Sequence, residues 1–164
     1  MLEALTEQKE IGNKYKIHNF NLFARLFCTV SEEVITKFGE EGRKAIIDAV
    51  KQFGIRRGKE IAELVKSKGK ELTLKNFMVY NTFDSSDTAK YKINIIDGNV
   101  EVVIRSCIFC EGCEDWDKKE FGKIYCEYID EAIMEGYNLD IKFELVSSLT
   151  RGEKRCIQRY NVKN

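Results

Sequence analysis

The stretch Tyr91-Lys92-Ile93-Asn94-Ile95-Ile96-Asp97-Gly98-Asn99-Val100-Glu101-Val102-Val103-Ile104-Arg105-Ser106-Cys107 is where the hydrophobic period of the chain changes. Tyr91, Ile93 and Ile95 alternate with polar residues, Val100, Val102 and Ile104 do so in part, and Asp97-Gly98-Asn99 separates the two runs. Strand side chains repeat every second residue and an Asp-Gly pair accepts the positive φ of a tight turn, so the stretch predicts a β-hairpin. Beyond a cysteine-rich turn, residues 117–137 return to helical spacing through Phe121, Ile124, Tyr125, Tyr128, Ile129, Ala132 and Ile133. Ile141, Phe143 and Leu145 then alternate as a third strand, and residues 155–162 read as a fourth.

Upstream of the hairpin the spacing is helical. Phe20, Phe23, Leu26, Phe27, Val30, Val34, Ile35 and Phe38 recur over residues 18–38, with Ser31-Glu32-Glu33 as a second helix start and Gly39 as the stop. His18, the only histidine, reads as a helix-start residue, and Cys28 and the phenylalanines Phe20, Phe23, Phe27, Phe38 and Phe53 read as core. Residues 40–68 carry an apolar stripe closed by Gly69, as a residue just past a helix end would. Gly54 and Gly58 interrupt that helix at a cost of about 1 kcal/mol each relative to alanine, which a close helix contact would explain. Thr73 caps a short helix over residues 74–80. The order is helices, then β–β–α–β–β: an α+β fold with N-terminal helices packed on a four-stranded antiparallel sheet. Residues 1–164 read as a single domain, with 1–16 as a loosely packed N-terminal arm.

Lys+Arg and Asp+Glu each number 27 and are interleaved, so nothing favours nucleic acid. No apolar run approaches the roughly 18 residues of a membrane span, and the N-terminus lacks the apolar core of a secretory signal, so a cytoplasmic location without membrane association is expected. In a reducing compartment the six cysteines are thiols or metal ligands rather than a disulfide framework.

Five of the six, Cys107, Cys110, Cys113, Cys126 and Cys156, fall in the second half of the chain on three different elements. Strand periodicity places Glu101, Val103, Arg105 and Cys107 on one face, where the guanidinium would lower the thiol pKa and bind a substrate carboxylate; the plain alternative is a solvated strand arginine. Cys126 and Asp130, four apart on a helix, share a face, so the carboxylate can orient the thiol or move its proton; a core cysteine beside a solvated acid is the plain alternative. Cys156 shares its strand face with Gln158 and Tyr160. Cys107, Cys110 and Cys113 also make C-x2-C-x2-C, which could present thiolates to Zn with Cys126 or Cys156 as fourth ligand, although the second C-x2-C of a zinc ribbon is missing.

The segments Phe38-Gly39-Glu40-Glu41-Gly42-Arg43, Phe53-Gly54-Ile55-Arg56-Arg57-Gly58-Lys59-Glu60-Ile61-Ala62 and Leu72-Thr73-Leu74-Lys75-Asn76-Phe77 resemble the helical half of the L-2-amino-thiazoline-4-carboxylic acid hydrolase family. Arg105 with Cys107, Tyr125-Cys126 with Asp130, a strand around Phe143, and Gly152 with Cys156 are similar to its C-terminal half, so the resemblance spans roughly residues 25–162. It implies hydrolytic opening of a cyclic amidine at the carbon between nitrogen and sulfur, without a cofactor. The matching positions Cys107, Cys126, Asp130 and Cys156 are the implied catalytic residues, with Cys107 or Cys126 as the expected nucleophile and Asp130 as proton shuttle, and Arg105 is the implied substrate-binding residue. The sequence departs from the family pattern where Ser106 separates Arg105 from Cys107, and Cys110 and Cys113 are additions.

Two other classes stay open at this point. Helices followed by a small cysteine-bearing sheet are similar to the four-vinyl-reductase type of binding domain, which implies a ligand or metal sensor without catalysis. A partner-binding protein would use the helix of residues 40–68 as an interface, and a homo-oligomer is compatible with that. The expected partner in the hydrolase reading is a small-molecule substrate.

Overall fold

A computed structural model describes residues 16–83 and 87–163. The predicted arm at residues 1–16 therefore lies, all but Lys16, outside the described residues. His18 caps the first helix, α1 (Asn19–Ser67), its Nδ1 accepting from the Phe20 amide at 3.0 Å. Gly39, at φ 59° and ψ −136°, breaks α1 where the sequence reading placed a stop. Ser31, read as a second helix start, is instead buried mid-helix, because no breaker precedes it and the turn on either side packs against neighbouring elements. Phe23, Phe38 and Phe53, expected in the core, remain exposed. Gly69, at φ 65°, ends the helix: its amide donates to the Lys66 carbonyl at 2.9 Å, and the following Lys70 amide to Val65.

Helix α2 (Leu74–Tyr80) starts at Thr73, whose hydroxyl accepts from the Asn76 amide. Strands β1 (Ala89–Ile96) and β2 (Asn99–Cys107) form the hairpin, turning on Asp97 and Gly98 at φ 49° and 79°. Both positive values fit the tight two-residue turn that matches strand twist. The cysteine-rich segment is a helix rather than a turn, α3 (Ile108–Asp115), because Phe109, Cys110, Gly112 and Cys113 repeat at helical spacing and bury one side. Then come α4 (Lys119–Tyr137), β3 (Ile141–Ser147), a 3-10 turn at Leu149–Arg151, and β4 (Cys156–Val162). The four strands form one antiparallel sheet in the order β1-β2-β4-β3. The fold is thus α+β with helices leading and strands following, as the periodicity indicated. Among the described residues no helix is long and apolar enough to cross a membrane.

The main core joins Val50, Ile61 and Val65 of α1 to Phe77 of α2, to Ile129, Ile133, Met134 and Tyr137 of α4, and to Ile141 and Tyr160 of the sheet. A second cluster holds Ala24, Cys28, Phe109, Cys110, Cys113 and Phe121. Helices α1 and α4 approach closely through the glycines the sequence singled out. A Cβ on Gly58 would stand 2.1 Å from the Ile133 carbonyl oxygen, and one on Gly54 would stand 2.6 Å from the Ala132 Cβ. Alanine in an isolated helix gains about 1 kcal/mol over glycine. At Gly58 the obstacle is backbone, which cannot rotate away, so Gly58→Ala is expected to destabilise the fold by at least ~2 kcal/mol. Urea denaturation of the two proteins checks the sign.

Candidate active site

Between the inner face of the sheet and the helices lies a cavity of about 300 Å³. Every cysteine named as catalytic from the sequence, Cys107, Cys126 and Cys156, lines it, and so do Asp130 and Cys110. Cys156 reaches it because β4 pairs with β2 in a register that sets Cys156 opposite Ile104, Gln158 opposite Val102 and Tyr160 opposite Val100. Cys126 and Asp130 reach it from one face of α4, as their four-residue spacing required.

Arg105 and Cys107 do not share a face. Opposite Lys90 and Tyr91 of β1 stand Ser106 and Ile104, so Arg105 is an unpaired extra residue, a β-bulge. The bulge restarts the alternation: Val102, Ile104 and Cys107 all line the cavity, while Arg105 is exposed on the far side. The guanidinium in the cavity is that of Arg57 on α1, the sole cationic lining side chain among the described residues. Its Nη2 donates to the Thr82 hydroxyl at 3.0 Å, and it lies 6.0 Å from the Phe83 ring centroid. Arg57 was not singled out from the sequence. The available signal was its place beside Gly58, since a charged residue flanking a buried glycine contact is carried into the helix interface.

The C-x2-C-x2-C run is split by its own helix. Cys113 turns away from the cavity and lies 3.4 Å from Cys28, sulfur to sulfur, in the second core cluster. The trio Cys107, Cys110 and Cys113 suggested for Zn does not converge, and among the described residues no group of three or more His, Cys, Asp or Glu side chains is arranged to hold a metal ion. The physical reason is that Cys113 is drawn into the packing between α3 and α1, against Cys28, while Cys107 and Cys110 face the cavity.

Cys110 is the hub of the thiols. It keeps its proton, its pKa pushed far up by hydrogen bonding to Cys107, Cys126 and Cys156. Cys156 is pulled the other way, to about 6, first by the Cys110 S–H and then, against the opposing effect of burial, by the Leu149 amide and the Ser148 hydroxyl. The Leu149 N–H donates to Cys156 Sγ at 3.2 Å. Cys107 is also lowered, mainly by Cys110, with the Phe109 and Cys110 amides at the start of α3 adding to the effect without closing a cap hydrogen bond. Asp130 is half-buried, facing the hollow, where the surrounding protein strips its carboxyl of much of its water. That desolvation, with the nearby Cys156 charge, raises it to about 6 against the opposing pull of Arg57. Gln158 Nε2 donates to Asp130 Oδ2 at 2.8 Å and holds the carboxyl in place.

The geometry defines an α+β protein with a thiol-lined cavity that holds both a cysteine lowered to about 6 and a carboxyl raised to about 6. The sequence model of the L-2-amino-thiazoline-4-carboxylic acid hydrolase family matches residues 19–160, nearly the whole chain, and the chain belongs to that family. Membership places it among hydrolases by the family's description. No curated protein sequence matches it. Among solved structures it is similar in fold to a trafficking protein particle complex subunit 3 from Naegleria fowleri, which was crystallised covalently bound to palmitic acid; identity is 12%, TM-score 0.50, and 87% of this chain and 96% of that one are covered. An H-NOX protein from S. oneidensis in the Fe(II)NO state matches with TM-score 0.38 at 12% identity, covering 90% of this chain and 100% of that one.

Proposed function

We propose that the chain opens a small sulfur- and nitrogen-containing ring, a cyclic amidine of the 2-amino-thiazoline-4-carboxylate kind, with Cys156 as nucleophile and Asp130 as proton carrier. The observation that carries this is the amide of Leu149 donating to Cys156 Sγ at 3.2 Å in a cavity shared with an enclosed carboxyl. A backbone donor favours the thiolate, which is the nucleophilic form, and a carboxyl tuned near the working pH can both give and take a proton.

In the first half-reaction the Cys156 thiolate attacks the carbon between nitrogen and sulfur. The ring C–S bond breaks, and the departing sulfur takes the Asp130 proton. The carbon remains on Cys156 as an isothiourea. Water then adds to the same carbon, one of its protons ending on the former ring nitrogen and the other on Asp130. The bond to Cys156 breaks, the thiolate is restored, and the product is a carbamoyl-cysteine. Cys110 supports the cycle by donating its S–H to the thiolate, and Cys107 and Cys126 line the space beside the reacting carbon.

Rapid quenching with 2-amino-thiazoline-4-carboxylate followed by peptide mass spectrometry tests the proposal. An adduct of the whole substrate mass on Cys156 is expected, because ring opening by addition loses no atom. Iodoacetamide should also label Cys156 fastest, with a rate half-maximal near pH 6. Turnover with no adduct and no selective labelling would instead indicate direct attack by water.

A further inference from the structure

The cavity is larger and greasier than a ring bearing an amine and a carboxylate requires. Pockets of about 300 Å³ and above accommodate drug-sized ligands, and this one reaches that size. Its two walls differ in chemistry. One belongs to the second core cluster and presents Cys107, Cys110 and Cys126. The other belongs to the main core and presents the apolar side chains of Phe77, Met78, Val102, Ile129 and Ile133 and the ring of Tyr160. Nothing in the ring-opening chemistry uses that surface.

Arg57 marks where a charged end would sit. Together with Phe20, Phe83 and Thr88 it lines both the cavity and a shallower open groove beside it, so it stands where the two meet. It meets a neutral hydroxyl and an aromatic ring, and among the described residues no carboxylate lies within ion-pair distance of it. A half-buried guanidinium with unused donors in a fixed fork suits a carboxylate bidentately. Asp130, the sole acidic lining residue among the described residues, is held by Gln158 instead.

We infer that the ligand of this cavity is an amphipathic carboxylate, its carboxylate on Arg57 and an apolar substituent, absent from 2-amino-thiazoline-4-carboxylate itself, against the wall of Phe77, Ile133 and Tyr160. This refines the substrate class of the proposed site and rests on that reading for the reacting ring, but not for binding.

Binding of straight-chain carboxylates from propanoate to dodecanoate to the Cys156→Ser protein, followed by titration calorimetry, tests it without any turnover. Affinity is expected to rise up to about fourfold per added methylene until the cavity is full, at one site per chain. Alkylamines of the same lengths should not bind. Arg57→Gln should weaken the best acid at least about tenfold, and Arg57→Lys should recover part of the loss. An affinity independent of chain length overturns the apolar wall; undiminished binding by Arg57→Gln, or equal binding of amines, overturns the anchor. Should Arg57→Gln fail to fold, the amine comparison on the Cys156→Ser protein still decides the charge. A flat series alongside turnover of 2-amino-thiazoline-4-carboxylate removes this inference and leaves the hydrolase reading standing. A steep series with no turnover of any cyclic amidine does the reverse.

Discussion

Cys156→Ser is expected to lower kcat by at least about 10³-fold, because a serine hydroxyl stays protonated where the thiol ionises and the covalent step is lost. Cys107→Ser and Cys126→Ser should each cost less than about tenfold, since those thiols shape the space and share in the hydrogen bonding without accepting the Leu149 amide. Steady-state kinetics on the three variants separates them. Should Cys107→Ser lose as much as Cys156→Ser, the nucleophile is shared or misplaced. The pH dependence carries the same logic. Cys156 and Asp130 each lie near 6 and each charge opposes the other, so the pair titrates as a unit, and the productive form is the one with a single proton on the pair. The expected profile of kcat/KM is a bell. Its acid limb marks loss of the thiolate and its alkaline limb loss of the Asp130 proton.

Asp130→Asn should lower turnover by about 10²–10⁴-fold and at the same time stabilise the protein above pH 6. The carboxyl is raised from 3.8 to about 6 in the folded chain, chiefly by burial. The folded state therefore holds the proton more tightly than the unfolded state does. The stability this contributes is complete below the ordinary carboxylate pKa and disappears as pH rises through 6. At pH 8 an ionised Asp130 costs on the order of 2 kcal/mol, after allowance for water in the cavity it faces. Asparagine carries no charge and can still accept from Gln158, so the variant should gain about that amount at pH 8 and nothing at pH 4. Urea denaturation at the two pH values measures the difference. Equal gains at both would mean that Asp130 ionises normally and cannot serve as the proton carrier.

The site was legible in part. Cys126 and Asp130 could be placed together from their spacing because a helix repeats rigidly, and Cys156 could be aligned with Gln158 and Tyr160 because β4 is regular through that stretch. Arg105 was misplaced by one irregular residue. A bulge shifts every later side chain to the opposite face, and Arg105-Ser106 has no glycine to betray it. The Cys107-Cys110-Cys113 run was equally deceptive: its spacing is that of a metal loop, but it folds as the start of α3, whose last cysteine packs against Cys28 of α1.

What the linear pattern determined by itself was the element order apart from α3, the hairpin and its turn, the breaks at Gly39 and Gly69, and the close contact behind Gly54 and Gly58. These follow from local periodicity and backbone freedom, which neighbouring residues settle among themselves. Only the tertiary structure decided that Cys107, Cys110, Cys126, Cys156 and Asp130 meet around one hollow, that Cys113 leaves them for Cys28, and that Arg57 supplies the cation. Those relations depend on strand register and on how two helices cross, and both are set by packing between residues far apart in the chain.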